Sequence, residues 1–187
     1  MLKIYDEYQK YGVDGYYKSH NRDYFNPHSQ KIEDLYLKHL KELIGSNISY
    51  SAEGTMEPVV TILDIACGDG LIAQLVNKYN NNCIVEGTDP YFNNKYTTYN
   101  YSFEDISMGK LQKNYDIAIC CYAFHLINPQ WMFNFLDGLA NITNTFVIIT
   151  PSKKITINHP YWRIFKEMRI EKVTLMVLKT NHQNYIK

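Results

Sequence analysis

The chain has 187 residues, 45% hydrophobic and 20% charged, with 19 basic and 19 acidic side chains that cancel. That is enough length for one domain, 1–187, with a sizeable core, and zero net charge removes the broad field that draws in nucleic acid or an anionic membrane. No apolar run reaches the roughly 18 residues of a membrane span, and the opening MLKIYDEYQKYGVDGYY is too polar for a signal peptide, so a cytoplasmic protein is expected.

Residues 1–30 are polar and aromatic: Tyr5, Tyr8, Tyr11, Tyr16, Tyr17, Tyr24 and Phe25 are interrupted by Gly12, Gly15 and Pro27. A short helix is expected over residues 3–10, then a second short helix and an ordered loop over Gly15–His28. The next helix opens at Asn26-Pro27 or Ser29. Ile32, Leu35, Tyr36, Leu40, Leu43 and Ile44 fall at helical spacing, and Gly45 closes it. Residues 46–58 read as a surface loop.

Strands and helices then alternate. Strands are expected at Val59–Ile65, Cys83–Thr88, Tyr99–Phe103, Tyr115–Tyr122 and Phe146–Thr150. Helices are expected at Leu71–Tyr79 and Pro129–Leu139. The near-continuous apolar runs suit buried parallel strands. Trp162–Met168 reads as helix or strand and Val173–Leu178 as strand, with a terminal antiparallel pair favoured. The fold expected is α/β, a mostly parallel sheet. The four cysteines, Cys67, Cys83, Cys120 and Cys121, contain no C-x-x-C pair, so reduced thiols and no metal site are expected.

The chemistry concentrates where strands end. In open α/β sheets, ligands bind outside the carboxyl ends of the strands. The first strand ends in Asp64 and the turn Gly68-Asp69-Gly70, which opens a helix. Such a turn brings backbone N–H groups close to a ligand. The second strand ends in Asp89, 19 residues after Gly70, where a carboxylate can accept from ribose hydroxyls. Gly68-x-Gly70-x-x-Ala73 also satisfies the dinucleotide fingerprint. Asp64 and Asp69 argue against that reading: acids beside a pyrophosphate cost energy, whereas an acid beside an ammonium gains it. S-adenosylmethionine (SAM), with an amino-acid tail and no phosphate, suits the turn better.

Residues 59–150 resemble the core of class I SAM-dependent methyltransferases. Leu63-Asp-Ile-Ala-Cys-Gly-Asp-Gly-Leu71 is similar to that family's glycine motif, and Glu86-Gly-Thr-Asp89 to its strand-two acid. Ser102-Phe-Glu-Asp-Ile106 resembles the adenine segment, and Tyr115–Leu126 the fourth-strand motif. The resemblance implies a Rossmann-like, seven-stranded sheet with an antiparallel C-terminal strand and a helical N-terminal lid over residues 1–58. It implies SAM contacts from Asp64, Ala66, Cys67, Gly68, Gly70, Leu71, Asp89, Pro90, Ser102, Phe103, Glu104, Cys121 and Tyr122.

Methyl transfer is largely a matter of positioning, so no catalytic residue is required. Candidates near the mouth are His125, Tyr16 and Tyr24, with Tyr17, His20 and His28 beside them; aromatic packing alone would also explain the tyrosines. The activity implied is transfer of the SAM methyl group, with a small molecule as the expected acceptor. A SAM-binding subunit without turnover, supporting a partner protein, is the alternative. An RNA methyltransferase and an NAD-dependent dehydrogenase stand behind both.

Overall fold

Successive side chains along the central strands enter two different cores. In β1 (Val60–Ile65), Val60 and Ile62 face one core while Leu63 and Ile65 face the other. β4 (Ile117–Cys121) divides Ile117 and Ile119 from Ala118 and Cys120, and β5 (Thr145–Thr150) divides Val147 and Ile149 from Phe146 and Ile148. A strand alternates its side chains between faces. With both faces covered, both sets are apolar and the sequence shows no alternation.

A computed structural model describes residues 4–20, 26, 28–46, 59–151, 155–170 and 172–180. Its sheet has seven strands in the order β3-β2-β1-β4-β5-β7-β6. β2 is Cys83–Thr88, β3 Thr97–Tyr99, β6 Trp162–Ile170 and β7 Val173–Thr180. The first five are parallel, and β7 lies antiparallel between β5 and β6. The fold is therefore a mixed α/β sheet with antiparallel C-terminal strands. Among the described residues no helix is long and apolar enough to cross a membrane.

One face carries α2 (Ser29–Leu35), a π-helical turn (Tyr36–Leu40), α3 (Lys41–Gly45) and α4 (Leu71–Tyr79). Ile32, Tyr36, Leu40, Ile44, Ile72 and Val76 are its buried contacts. The other face carries α5 (Phe103–Ser107) and α6 (Met132–Ala140), with Ile106, Phe135, Leu136 and Leu139 against the strands. Gly138 lets the two helices touch, since a Cβ there would lie 2.8 Å from the Ile106 carbonyl oxygen. The buried Trp162 indole N–H donates to the Leu136 carbonyl at 2.8 Å, joining β6 to α6.

Several boundaries differ from expectation. The helix expected over 3–10 runs further, as α1 (Ile4–His20), broken at Gly12 where φ is 70° and ψ 167°. A left-handed φ is cheap only for glycine, so the helix is two pieces meeting there. The third strand is not Tyr99–Phe103 but Thr97–Tyr99, because Ser102 starts a helix. Its hydroxyl accepts from the Asp105 N–H at 3.2 Å, and the Asp105 carboxylate accepts from the Ser102 N–H at 2.9 Å. That reciprocal cap satisfies two donors a helix start leaves free. The helix expected at Pro129 begins at Met132, behind a turn in which the Trp131 N–H donates to Asn128. Trp162–Met168 is strand, bulged between Ile164 and Lys166.

Candidate functional site

A cavity of about 650 Å³ lies at the carboxyl ends of β1, β2 and β4. Its floor is the turn after β1. The Gly70 N–H donates to the Cys67 carbonyl at 2.8 Å, and both Gly68 (φ 54°) and Gly70 (φ 80°) adopt left-handed backbone. Two residues with a Cβ are held there too: Ala66 (φ 56°) before the turn and Tyr122 (φ 59°) after β4. Both line the cavity. Such conformations cost energy and gather where structure serves a site. Tyr122 is fixed by its N–H, which donates to the Ile149 carbonyl at 2.7 Å.

Asp64 and Thr88 end their strands inside the protein, 1% and 0% exposed. Asp64 Oδ2 and Thr88 Oγ1 are buried without a hydrogen-bond partner among the described residues. Both residues line the cavity. Burial, then the charges of Asp89 and Asp69, push the Asp64 carboxyl well above the ordinary carboxylate range. A polar atom left unpaired in a protein interior is costly, so these atoms mark a place built for a polar ligand. An ammonium group would answer the carboxylate.

Asp89 is also buried, but well bonded. Its Oδ2 accepts from the Gly68 N–H at 3.0 Å, and its Oδ1 from the Tyr91 and Phe92 N–H groups at 2.9 and 3.1 Å. The carboxylate thus ties the glycine turn to the loop after β2. Burial still raises its pKa, and the three N–H bonds oppose that rise. A carboxylate has about four acceptor positions, so capacity remains for a ligand hydroxyl.

The segment from Tyr101 to Glu104 borders the same space. Phe103 packs edge-on to Phe135, and Tyr101 stacks on Tyr99 with centroids 5.4 Å apart. Tyr101, Ser102, Phe103 and Glu104 line the cavity. Lys110 pairs with Asp105 at 2.5 Å and, with the helix cap, holds its carboxyl below the usual range. That acid is therefore occupied by structure.

The roof is the N-terminal segment. Val13, Asp14, Tyr17 and Lys18 of α1 line the cavity, as does Asn26. Tyr17 stacks on Tyr91 at 5.4 Å and 15°, and the Tyr91 hydroxyl donates to Asp14. The Asn26 N–H donates to Asp69 Oδ2 at 3.2 Å, and the His28 ring stacks on Tyr122 at 4.8 Å. These contacts set α1 beside the loop after β2, Asn26 beside the glycine turn and His28 beside the residue after β4.

Of the residues expected to hold cofactor, Asp64, Ala66, Cys67, Gly68, Leu71, Asp89, Pro90, Ser102, Phe103, Glu104, Cys121 and Tyr122 line the cavity. Gly70 lies beneath it, where a Cβ would fall 2.1 Å from the Tyr96 ring. The catalytic candidates are not brought together. His125 is exposed in a 3₁₀ turn (Phe124–Leu126) outside the cavity lining. Tyr16 is buried against the Tyr8 and Tyr17 rings, each 5.2 Å away. Tyr24 lies outside the described residues, and His20 ends α1 without a described side chain. Tyr91, Phe92, Tyr101, Asp14 and Lys18 were not anticipated. The aromatic pair straight after Asp89-Pro90 was the one sequence signal for them.

No protein-family model matches the sequence, and neither does any curated protein. Solved structures do resemble the fold. A SAM-dependent methyltransferase from Archaeoglobus fulgidus aligns with TM-score 0.53 and 12% identity, over 81% of this chain and 94% of that one. Magnesium protoporphyrin IX methyltransferase from Synechocystis, solved with SAM bound, aligns with TM-score 0.50 and 14% identity over 95% of each chain. TrmN from Thermus thermophilus aligns with TM-score 0.50 and 14% identity over 66% of this chain, which spans only 44% of that protein. At these identities the likeness establishes the fold: a Rossmann-like one shared with class I methyltransferases.

Proposed function

We propose that this chain is a SAM-dependent methyltransferase acting on a small molecule, with residues 1–187 forming one domain whose N-terminal segment is its lid. The observation that carries the reading is the pair of buried polar atoms, Asp64 Oδ2 and Thr88 Oγ1, left without a partner among the described residues at the wall of the cavity. The Asp64 carboxylate would hold the ammonium of the methionine tail, and Asp89 the ribose hydroxyls. Tyr101 and Phe103 would face the adenine. Bound SAM supplies an electrophilic methyl group.

The protein's own work is then to position and to exclude water. Tyr17, Tyr91 and Phe92 close one side with apolar surface, and Tyr122 with its His28 neighbour closes the other. Burial and the Lys31 charge lower the His28 pKa, which favours the neutral imidazole. The cavity falls within the 300–1,000 Å³ typical of small-ligand sites, which suits a cofactor and a modest acceptor.

Isothermal titration with SAM and with its product S-adenosylhomocysteine (SAH), NAD serving as the control, tests the cofactor. Saturable SAM binding without NAD binding is expected; the reverse pattern defeats the proposal. Asp89→Ala should weaken SAM more than tenfold, about 1.4 kcal/mol. It should also lower the melting temperature, because Gly68, Tyr91 and Phe92 lose the acceptor for their N–H groups. Unchanged affinity in that variant would mean another residue takes the ribose.

A further inference from the structure

We propose that the methyl acceptor is a small molecule presenting a basic nitrogen, an amine or a nitrogen heterocycle, and that the cavity walls turn away anionic acceptors. This rests on reading the cavity as a SAM site. Five carboxylates face it: Asp14, Asp64, Asp69, Asp89 and Glu104. Lys18 is the one basic residue among the described lining residues. Aromatic rings supply much of the remaining wall, from Tyr17, Tyr91, Phe92, Tyr101 and Tyr122.

The cofactor does not use up this bias. Its ammonium engages Asp64 and its ribose Asp89, both tied to β-strand ends. Glu104 falls to the cofactor as well, which leaves Asp14 and Asp69 against Lys18. Asp14 sits on the lid and Asp69 under Asn26, so the excess lies on the walls an acceptor must pass. Carboxylates and aromatic faces both attract cations and repel anions.

The course of the charge decides between acceptor classes. An amine that enters as its ammonium first gives that proton to water, and the lone pair so freed forms the new N–C bond. The electron pair of the breaking C–S bond returns to sulfur, leaving a neutral thioether. The positive charge thus moves from sulfur to nitrogen and never leaves the acid-lined space. A primary or secondary amine then gives one proton to water; a tertiary amine or ring nitrogen keeps the charge. An oxyanion acceptor follows the opposite course. A negative charge must first be stripped of water and brought among carboxylates, which raises its cost before any bond forms. A nucleic-acid acceptor meets the same repulsion through its phosphates.

The test is a titration of paired probes into SAH-loaded protein. Tryptamine and phenethylamine are compared with indole-3-propionate and 3-phenylpropionate, which match them in ring and chain but carry the opposite charge. The amines should bind at least tenfold more tightly than their carboxylate partners. Asp14→Asn should narrow that ratio and Lys18→Ala should widen it. A ratio of one or below, no amine binding, or saturable binding of a short RNA overturns the proposal. SAH binding is measured first. If it is absent the cofactor reading falls, and the same probes titrated into ligand-free protein still decide the amine preference.

Discussion

Replacing Asp64 with asparagine should stabilise the ligand-free protein and, in the same step, cost it about a hundredfold in SAM affinity. The side chain is 1% exposed, with one oxygen unpartnered among the described residues. Burial and two neighbouring acids raise its pKa well above the ordinary range. An ionised carboxylate there is a charge taken out of water without compensation. Asparagine keeps the shape and removes the charge. Where the wild-type carboxyl is ionised, a gain on the order of 2 kcal/mol, or a melting temperature about 5 °C higher, is expected for a chain of this size. Losing the partner of the cofactor ammonium costs about 2.7 kcal/mol, the hundredfold above.

The pH dependence follows from the direction of the shift. The native state holds the Asp64 proton to a higher pH than the unfolded chain does. Below the unfolded carboxylate pKa of about 4, both states are protonated and the contribution is fully present. As pH rises through the native pKa it is lost, because the native state must then ionise a buried group. Ligand-free wild type should therefore lose stability relative to Asp64→Asn as pH rises above about 4, and saturating SAM should remove most of that difference. Parallel pH profiles for the two proteins, or a less stable variant that binds SAM normally, would show that Asp64 is not the poised group.

The second large effect is expected at the glycine under the site. A Cβ on Gly70 would meet Cδ2, Cγ and Cβ of Tyr96 at 2.1, 2.2 and 2.6 Å, on a backbone with φ +80°. Overpacking and a left-handed alanine together make Gly70→Ala cost about 3 kcal/mol. Tyr96 fills the space beside a second glycine as well. A Cβ on Gly87 would lie 2.3 Å from the Tyr96 carbonyl oxygen and 2.7 Å from Cys67 Sγ. The two clashes respond differently to removing the whole tyrosine side chain, whose Cβ is itself one of the clashing atoms. In a Tyr96→Gly background, Gly70→Ala should lose most of its steric cost and keep only the conformational one. Gly87→Ala should stay fully destabilising, because it strikes main chain. Urea denaturation of the singles and doubles measures both cycles; equal relief at the two positions would refute this geometry.

The sequence revealed the sheet centre and the turn most clearly, for one physical reason: in both, a single local pattern decides the structure. Ile117–Cys120 and Phe146–Ile149 are apolar at every position because both faces are buried. Asp64, Gly68 and Gly70 declare a turn and a ligand charge within seven residues. Elements set by contacts distant in sequence were hidden. Thr97–Tyr99 is too short for any period, and its pairing with β2 is irregular. The lid residues Asp14 and Lys18 read as ordinary helix surface, since their place depends on Tyr91, 77 residues from Asp14. His125 drew attention through a family motif, and the 3₁₀ turn leaves it on the outside.

The insertion of β7 between β5 and β6 sets an order of assembly during synthesis. The ribosome delivers β6 before the strand that must separate it from β5. Until Val173–Thr180 emerges, β5 presents an open edge of apolar residues and β6 has no partner in the sheet. Exposed strand edges of this kind invite aggregation. The strand made after β6 is thus the one that closes the core. A ribosome stalled just before it would hold a chain with its parallel strands complete and its sheet unfinished.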